Sequence, residues 1–289
     1  MSRVLFYTIV KPLSRLPLPL LYLFSDLMYV IVYRMVGFRK KVVWNNLCNA
    51  FPDQSPAELK AVMRAFYSHF CDLIVESIRM FSMTEEEARR RCIFRNPEML
   101  KAHYQAGKGI VLVTGHYNSW EMAVMIMDMC IPHQTVGIYA PLSNSFFEKK
   151  INESRGKYGM VLVSKNDIQE YIDQHQTQRN LYVLAADQSP TYAKKVYWTN
   201  FLHQETAVAF GPEKFAKKYD MPVVYCHIYK LRRGYYEVIF EDLETNPVET
   251  PHGSITEAHV RLLEKDIMAA PQYWLWTHRR WKRQRREDE

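Results

Sequence analysis

The sequence lacks the patterns of a disulfide framework or a zinc module. Its five cysteines (Cys48, Cys71, Cys92, Cys130 and Cys226) are odd in number and none falls in a C-x-x-C pair, so a reducing compartment is the simpler setting. No cysteine or serine stands in a nucleophile context, which argues against an acyl-enzyme. Internal repeats and low-complexity linkers are absent too. No small-residue cleavage site follows the first apolar stretch, so a removable signal peptide is not expected. Charge of one sign is scarce in the middle: residues 42–277 sum to −2, whereas residues 1–41 carry +6 and residues 278–289 carry +3. A nucleic-acid enzyme spreads basic charge over a binding face. Basic ends around a near-neutral body fit anionic lipid headgroups better, and no nucleic-acid partner is expected.

What is present begins with Leu16 to Val36, an apolar stretch about long enough to cross a bilayer, interrupted by Ser25, Asp26 and Arg34. Arg34 near its end and Arg39, Lys40 and Lys41 after it would hold the body in the cytoplasm, in competition with Arg3, Lys11 and Arg15 before it. Residues 1–41 are therefore expected to form an N-terminal membrane anchor, spanning or interfacial. A helical region over 42–108 follows, in which Ser55-Pro56-Ala57-Glu58 is a helix start. Leu59, Val62, Met63, Phe66, Phe70, Leu73, Ile74 and Phe81 then recur at helical spacing.

After residue 108 the pattern changes. Ile110–Thr114, Thr135–Tyr139, Met160–Val163, Leu181–Ala186 and Val223–Tyr229 are short apolar runs, separated by helical patterns over 118–130, 145–157, 167–176 and 207–219. The alternation predicts an α/β fold with a mostly parallel central sheet flanked by helices. An antiparallel edge hairpin at Tyr235–Phe240 and a last helix over 254–269 complete a core spanning 109–289, which joins residues 42–108 in one domain.

Open α/β sheets carry their sites at the carboxyl ends of strands. That points to Gly115-His116-Tyr117-Asn118, to Tyr139-Ala140-Pro141 and to Asp187-Gln188. His116 and Glu121 form an H-x-x-x-x-E pattern, as do His252/Glu257 and His259/Glu264. Only His116 follows an apolar strand and a glycine and opens a helix. Five residues along a continuous helix turn through roughly 500°, so Glu121 meets His116 only if the histidine sits on the loop. Glu121 would then hold one imidazole nitrogen while the other takes a proton from a hydroxyl. Backbone amides near Asn118 would receive the oxyanion. Asn118-x-x-Glu121 also has the form of a capping box, which would explain Glu121 without catalysis. Asp187 and Gln188 are expected to hold loops by hydrogen bonds beside the site, with Tyr139 nearby.

The segment Gly115-His116-Tyr117-Asn118-Ser119-Trp120-Glu121 resembles the H-x4-D/E motif of the bacterial lipid A biosynthesis acyltransferases, within the wider glycerolipid acyltransferase group. Four further blocks support the likeness over about residues 39–282: Asn46-Leu47 with Ala50-Phe51-Pro52; Tyr139-Ala140-Pro141-Leu142 with Arg155 and Gly159; Ala186-Asp187-Gln188; and Pro271 to Lys282. The resemblance implies an acyl chain carried as a thioester, usually on acyl carrier protein, and acyl-CoA stays open as the donor. The acceptor it implies is a lipid A precursor hydroxyl at the cytoplasmic face of the cell inner membrane, with no metal or organic cofactor. Arg155 would contact a phosphate of the acceptor. One block departs: where the family commonly has a paired Phe-Gly element, this chain has Phe201-Leu202-His203-Gln204-Glu205-Thr206. A lysophospholipid, another glycolipid or an aminolipid therefore remains open as acceptor, as does a non-catalytic lipid-binding role. The aromatic-basic tail with Trp274, Trp276 and Trp281 either rests at headgroup level or folds back onto the active-site loops.

Overall fold

The computed structural model describes residues 2–190 and 196–285. Among the described residues nine strands form: β1 (Cys92–Phe94), β2 (Ile110–Thr114), β3 (Gln134–Tyr139), β4 (Val161–Ser164), β5 (Asn180–Ala185), β6 (Val196–Phe201), β7 (Gln204–Ala209), β8 (Val223–Arg232) and β9 (Tyr235–Glu244). Seven of them make one sheet in the order β1-β9-β8-β2-β5-β3-β4, and β6-β7 is a separate hairpin. All pairs in the large sheet are parallel except β8–β9. Every residue of the central β2 is buried, as expected of a strand covered on both faces.

Two expectations fail for physical reasons. β9 is not the sheet edge, because β1 adds to it in parallel; three residues are too few to leave a periodic signal. The run over 207–219 is not all helix: Gln204–Ala209 is a strand and the helix is Gly211–Tyr219. The hairpin turns on Leu202 and His203, both with positive φ (51° and 63°), residues that do not announce a turn of this type. Burial of Phe201 and Leu202 against Trp274 and Trp276 holds the turn. The strain of a left-handed residue, roughly 1–2 kcal/mol, is smaller than the burial of two large apolar side chains.

The long helix Pro56–Met80 starts as its sequence dictates. Ser55 caps it, Glu58 Oε2 accepts from the Ser55 amide at 2.8 Å, and Pro56 takes the first turn. Leu59, Met63, Phe66 and Tyr67 face inward. They share a core with Val43 and Leu47 from helix Lys40–Ala50 and with Tyr225, Trp274 and Trp276. A second core joins Leu18, Leu21 and Val75 to Leu112, Met122 and Ile126 under the sheet. Packing therefore runs without a break from the N-terminal helices into the α/β region. The apolar stretch is the helix Leu18–Val36, long and apolar enough to cross a membrane.

Candidate active site

β2 and β5 are parallel neighbours, and Thr114 pairs with Ala185 in register. The two chains leave the sheet side by side, and two residues later His116 and Asp187 meet. His116 Nδ1 lies 2.5 Å from Asp187 Oδ1, and the His116 amide donates to Asp187 Oδ2 at 2.9 Å. The indole of Trp274 donates to the same Oδ2 at 2.8 Å. A carboxylate only accepts, so Nδ1 carries the hydrogen and Nε2 is left as the basic nitrogen. Gln188 Nε2 lies 3.2 Å from it, so the Gln188 amide donates to the lone pair a substrate hydroxyl would use. Trp120 meets the imidazole edge-on at 5.1 Å.

Burial presses the His116 imidazole toward neutrality. The charge and hydrogen bond of Asp187 outweigh this, Glu121 adds to them, Arg155 opposes, and the pKa rises above the ordinary histidine value. Burial of Asp187 favours its protonated form, but His116 and Trp274 overcome that and hold its pKa far below the usual carboxylate range. The pair therefore favours an ionised aspartate under a histidine of raised basicity.

The carboxylate on His116 is thus not Glu121, which corrects the expectation from the H-x-x-x-x-E spacing. Glu121 lies in the first turn of helix Trp120–Met127 and points the other way, where Arg155 grips it. Arg155 Nε donates to Oε2 at 2.8 Å and Nη2 to Oε1. Arg155 ends the helix Ser145–Arg155 that follows β3. The capping-box alternative fails as well, because Ser119 is the N-cap and makes no side-chain capping bond. Asn118 has a positive φ of 53° and sends its side-chain amide to the Ile228 carbonyl at 2.7 Å. Its backbone amide donates to the Tyr273 carbonyl at 3.0 Å, so it is not free to receive an oxyanion. Tyr139 ends β3, where its carbonyl accepts from the Lys165 amide; among the described residues it makes no hydrogen bond or ring contact with His116, Glu121 or Arg155. The rival histidines lead elsewhere: His259 is buried in the core, and burial pushes its pKa down to about 4.

Glu121 and Arg155 stand in the wall of an apolar cavity of about 570 Å³. Trp120 belongs to that wall and touches His116, so it joins the cavity to the histidine. Phe70, Leu73, Ile74 and Ile78 from helix Pro56–Met80 supply much of the rest, with Phe147, Ile151 and Leu275. The helical spacing marked Phe70, Leu73 and Ile74 as apolar but did not say that part of that face lines a cavity.

The tail folds back onto the active-site loops. Trp274 and Trp276 are buried, Tyr117 bridges to Trp274, and the Tyr117 hydroxyl donates to the carbonyls of Asp266 and Ala270 at 3.0 Å. The His278 ring accepts from the Ser189 amide at 3.0 Å. Asn46, in the first resembling block, donates to the carbonyls of Trp276 and His278 at 2.9 and 3.0 Å. Arg286 of the basic end lies outside the described residues.

A histidine–carboxylate pair thus stands at the carboxyl edge of a parallel sheet, one side chain away from an apolar cavity, an arrangement able to take a proton from a hydroxyl. Over residues 3–283 the chain matches the family described as bacterial lipid A biosynthesis acyltransferase. It is 20% identical over 270 residues to the lipid A biosynthesis palmitoleoyltransferase of Escherichia coli (strain K12), covering 93% of this chain and 87% of that one. It is 23% identical over 270 residues to the lipid A biosynthesis lauroyltransferase of the same organism, with the same coverage. The lipid A biosynthesis acyltransferase of Shigella flexneri matches at 20% over 270 residues. The chain belongs to the bacterial lipid A biosynthesis acyltransferase family and is an acyltransferase.

Proposed function

We propose that this enzyme transfers a fatty acyl chain from an acyl carrier protein thioester to a hydroxyl of a lipid A precursor, at the cytoplasmic face of the inner membrane. His116 is the general base and Asp187, in place of Glu121, is its carboxylate partner. The observation that carries this reading is the bond from His116 Nδ1 to Asp187 Oδ1, which leaves Nε2 as the basic nitrogen of a ring that touches Trp120 of the cavity wall.

The acceptor hydroxyl displaces the Gln188 amide and gives its proton to Nε2 as its oxygen attacks the thioester carbonyl. Asp187 stabilises the imidazolium without taking the proton. The oxyanion lies near the start of helix Trp120–Met127, at the amides of Trp120 and Glu121, which precede the bonds of Met122 and Ala123 to the Ser119 carbonyl. When the tetrahedral intermediate collapses, the C–S bond breaks, the thiolate leaves and the imidazolium returns its proton to sulfur. No acyl-enzyme is needed, because the thioester is already activated. The apolar cavity receives an acyl chain. Arg155 spends two of its five N–H donors on Glu121 and keeps the rest for an acceptor phosphate.

The test incubates membranes holding wild type, His116→Ala or Asp187→Asn with labelled acyl carrier protein or CoA thioesters. The acceptor is an underacylated lipid A precursor or a lysophospholipid, and products are read by mass. An acyl ester on the lipid A precursor that both variants lose at equal protein level supports the proposal. Full activity in His116→Ala sinks the base assignment. Product on the lysophospholipid alone replaces the acceptor, and free fatty acid formed without an acceptor points to a hydrolase.

A further inference from the structure

We propose that the helix Leu18–Val36 lies in the plane of the membrane surface, half sunk into one leaflet of anionic lipid, and does not cross the bilayer. This refines the membrane placement proposed above and does not depend on the acceptor.

By length and composition the helix could span a membrane. Its docking says otherwise. The N-terminal segment runs antiparallel along helix Pro56–Met80, from its C-terminal end back to Tyr67. Ser14 meets Ser82 at 2.7 Å, the Tyr22 hydroxyl donates to Glu76 at 2.9 Å, and Ser25 donates to Asp72 at 2.7 Å. Tyr33 packs on Tyr67 at 5.1 Å, and the Tyr67 hydroxyl donates to the Phe38 carbonyl. Ser25 and Asp26, which interrupt the apolar stretch, are thus among the residues that fasten it. Arg233, at the β8–β9 turn, joins Asp26 and Asp72 at 2.6 Å each.

A helix crossing the bilayer in this arrangement would carry its partners with it. Asp72, Glu76 and Arg233 meet the middle of the apolar stretch, so they would lie near the centre of the hydrocarbon, beside exposed Arg232. Charged groups at that depth are expensive. Lying flat, the helix puts the same groups at headgroup level or above.

The opposite face fits a leaflet. Leu20, Leu23, Phe24, Leu27, Val30 and Ile31 are exposed, each 41–65%. Their spacing makes one continuous stripe. Exposed Arg15 precedes the stripe, and exposed Arg34, Arg39 and Lys41 follow it. An apolar stripe between basic ends matches an anionic headgroup layer over acyl chains. Val10, in the segment before the helix, and Phe38, just after it, also line the apolar cavity that reaches Glu121 and Arg155. The seat therefore sets the cavity against the leaflet, and a lipid chain can enter it sideways without crossing water.

The test reads topology without activity. Cys48 and Cys130 are replaced by Ser, and Arg15→Cys or Lys41→Cys is added in the full chain in bacterial inner membrane. A membrane-impermeant maleimide is applied to spheroplasts and to inverted vesicles. Both positions are expected to react in inverted vesicles and neither in spheroplasts. Reaction of either from the spheroplast side overturns the proposal, and so does reaction of either only after detergent. Separately, Leu23→Glu with Leu27→Glu, with folding checked by circular dichroism, is expected to weaken partition onto phosphatidylglycerol vesicles by about tenfold or more. Unchanged partition overturns the proposal. If those variants stay on the vesicles and convert a dimer to a monomer, the stripe is a copy-to-copy interface and the proposal fails.

Discussion

Two ion pairs stand on either side of the start of helix Trp120–Met127, and they differ in what surrounds them. In His116–Asp187 the carboxylate is sealed, with 2% of its side chain exposed, and both oxygens are taken up by His116 and Trp274. In Glu121–Arg155 each side chain is about a quarter exposed on the wall of an apolar cavity. The sealed pair holds one nitrogen in one tautomer, which is what a base needs. Among the described residues the guanidinium of the open pair bonds only Glu121, as the proposed binding role requires. Sequence proximity matched the histidine to the wrong acid: the partner five residues away went to arginine, and the partner on the neighbouring strand took the imidazole.

The sharpest way to break this contrast is to neutralise each carboxylate in turn. Asp187→Asn is expected to lower kcat by about 10³–10⁴-fold, because the imidazolium loses its countercharge and the tautomer is no longer enforced. Glu121→Gln is expected to cost less and to act more on KM; steady-state kinetics on the same acceptor separates the two. Equal losses in kcat from both variants would abolish the distinction.

The pH profile sharpens it further. The base must be neutral, and Asp187 raises the His116 pKa, so wild-type activity should fall as pH drops through that raised value. In Asp187→Asn the acid limb should move to lower pH while the maximum falls. Stability has its own sign. Because the folded His116 pKa is raised, its pairing contributes fully below the ordinary histidine value of 6.5 and is lost as pH rises through the folded value. Comparing thermal midpoints of wild type and His116→Ala across pH 5–9 reads this directly.

Arg155→Lys keeps the charge and loses the two-pronged grip. KM for a phosphorylated acceptor should rise about tenfold, and an acceptor lacking the phosphate should show little change. The smallest effect is expected from Trp274→Phe, which removes one donor from Asp187 and should cost about 1 kcal/mol of stability with a modest fall in kcat. A thermal midpoint unchanged by that substitution would mean that the indole bond does not support the pair.

Local features were legible beforehand. The cap at Ser55 and Pro56 depends on neighbours three residues apart, and the helix begins there. Parallel strands buried on both faces read as unbroken apolar runs, and β2 to β5 appeared close to where they are. The β6–β7 hairpin was not legible, because its turn uses Leu202 and His203 under tertiary burial. The tail offered two fates by composition, membrane surface or folding back; only packing around Trp274 and Trp276 chose between them. Ser25 and Asp26 looked like blemishes in an anchor until Asp72 and Arg233 appeared beside them.

The order of residues by itself determined most of the elements and the end of the sheet where His116 and Asp187 stand, because capping, periodicity and strand–helix alternation are local. Which acid serves His116 was decided only in three dimensions. β5 lies next to β2, Thr114 stands opposite Ala185, and Asp187 therefore arrives at the imidazole from 71 residues away. Strand order is set by how helices and sheet bury their apolar faces together, and no spacing along the chain records it.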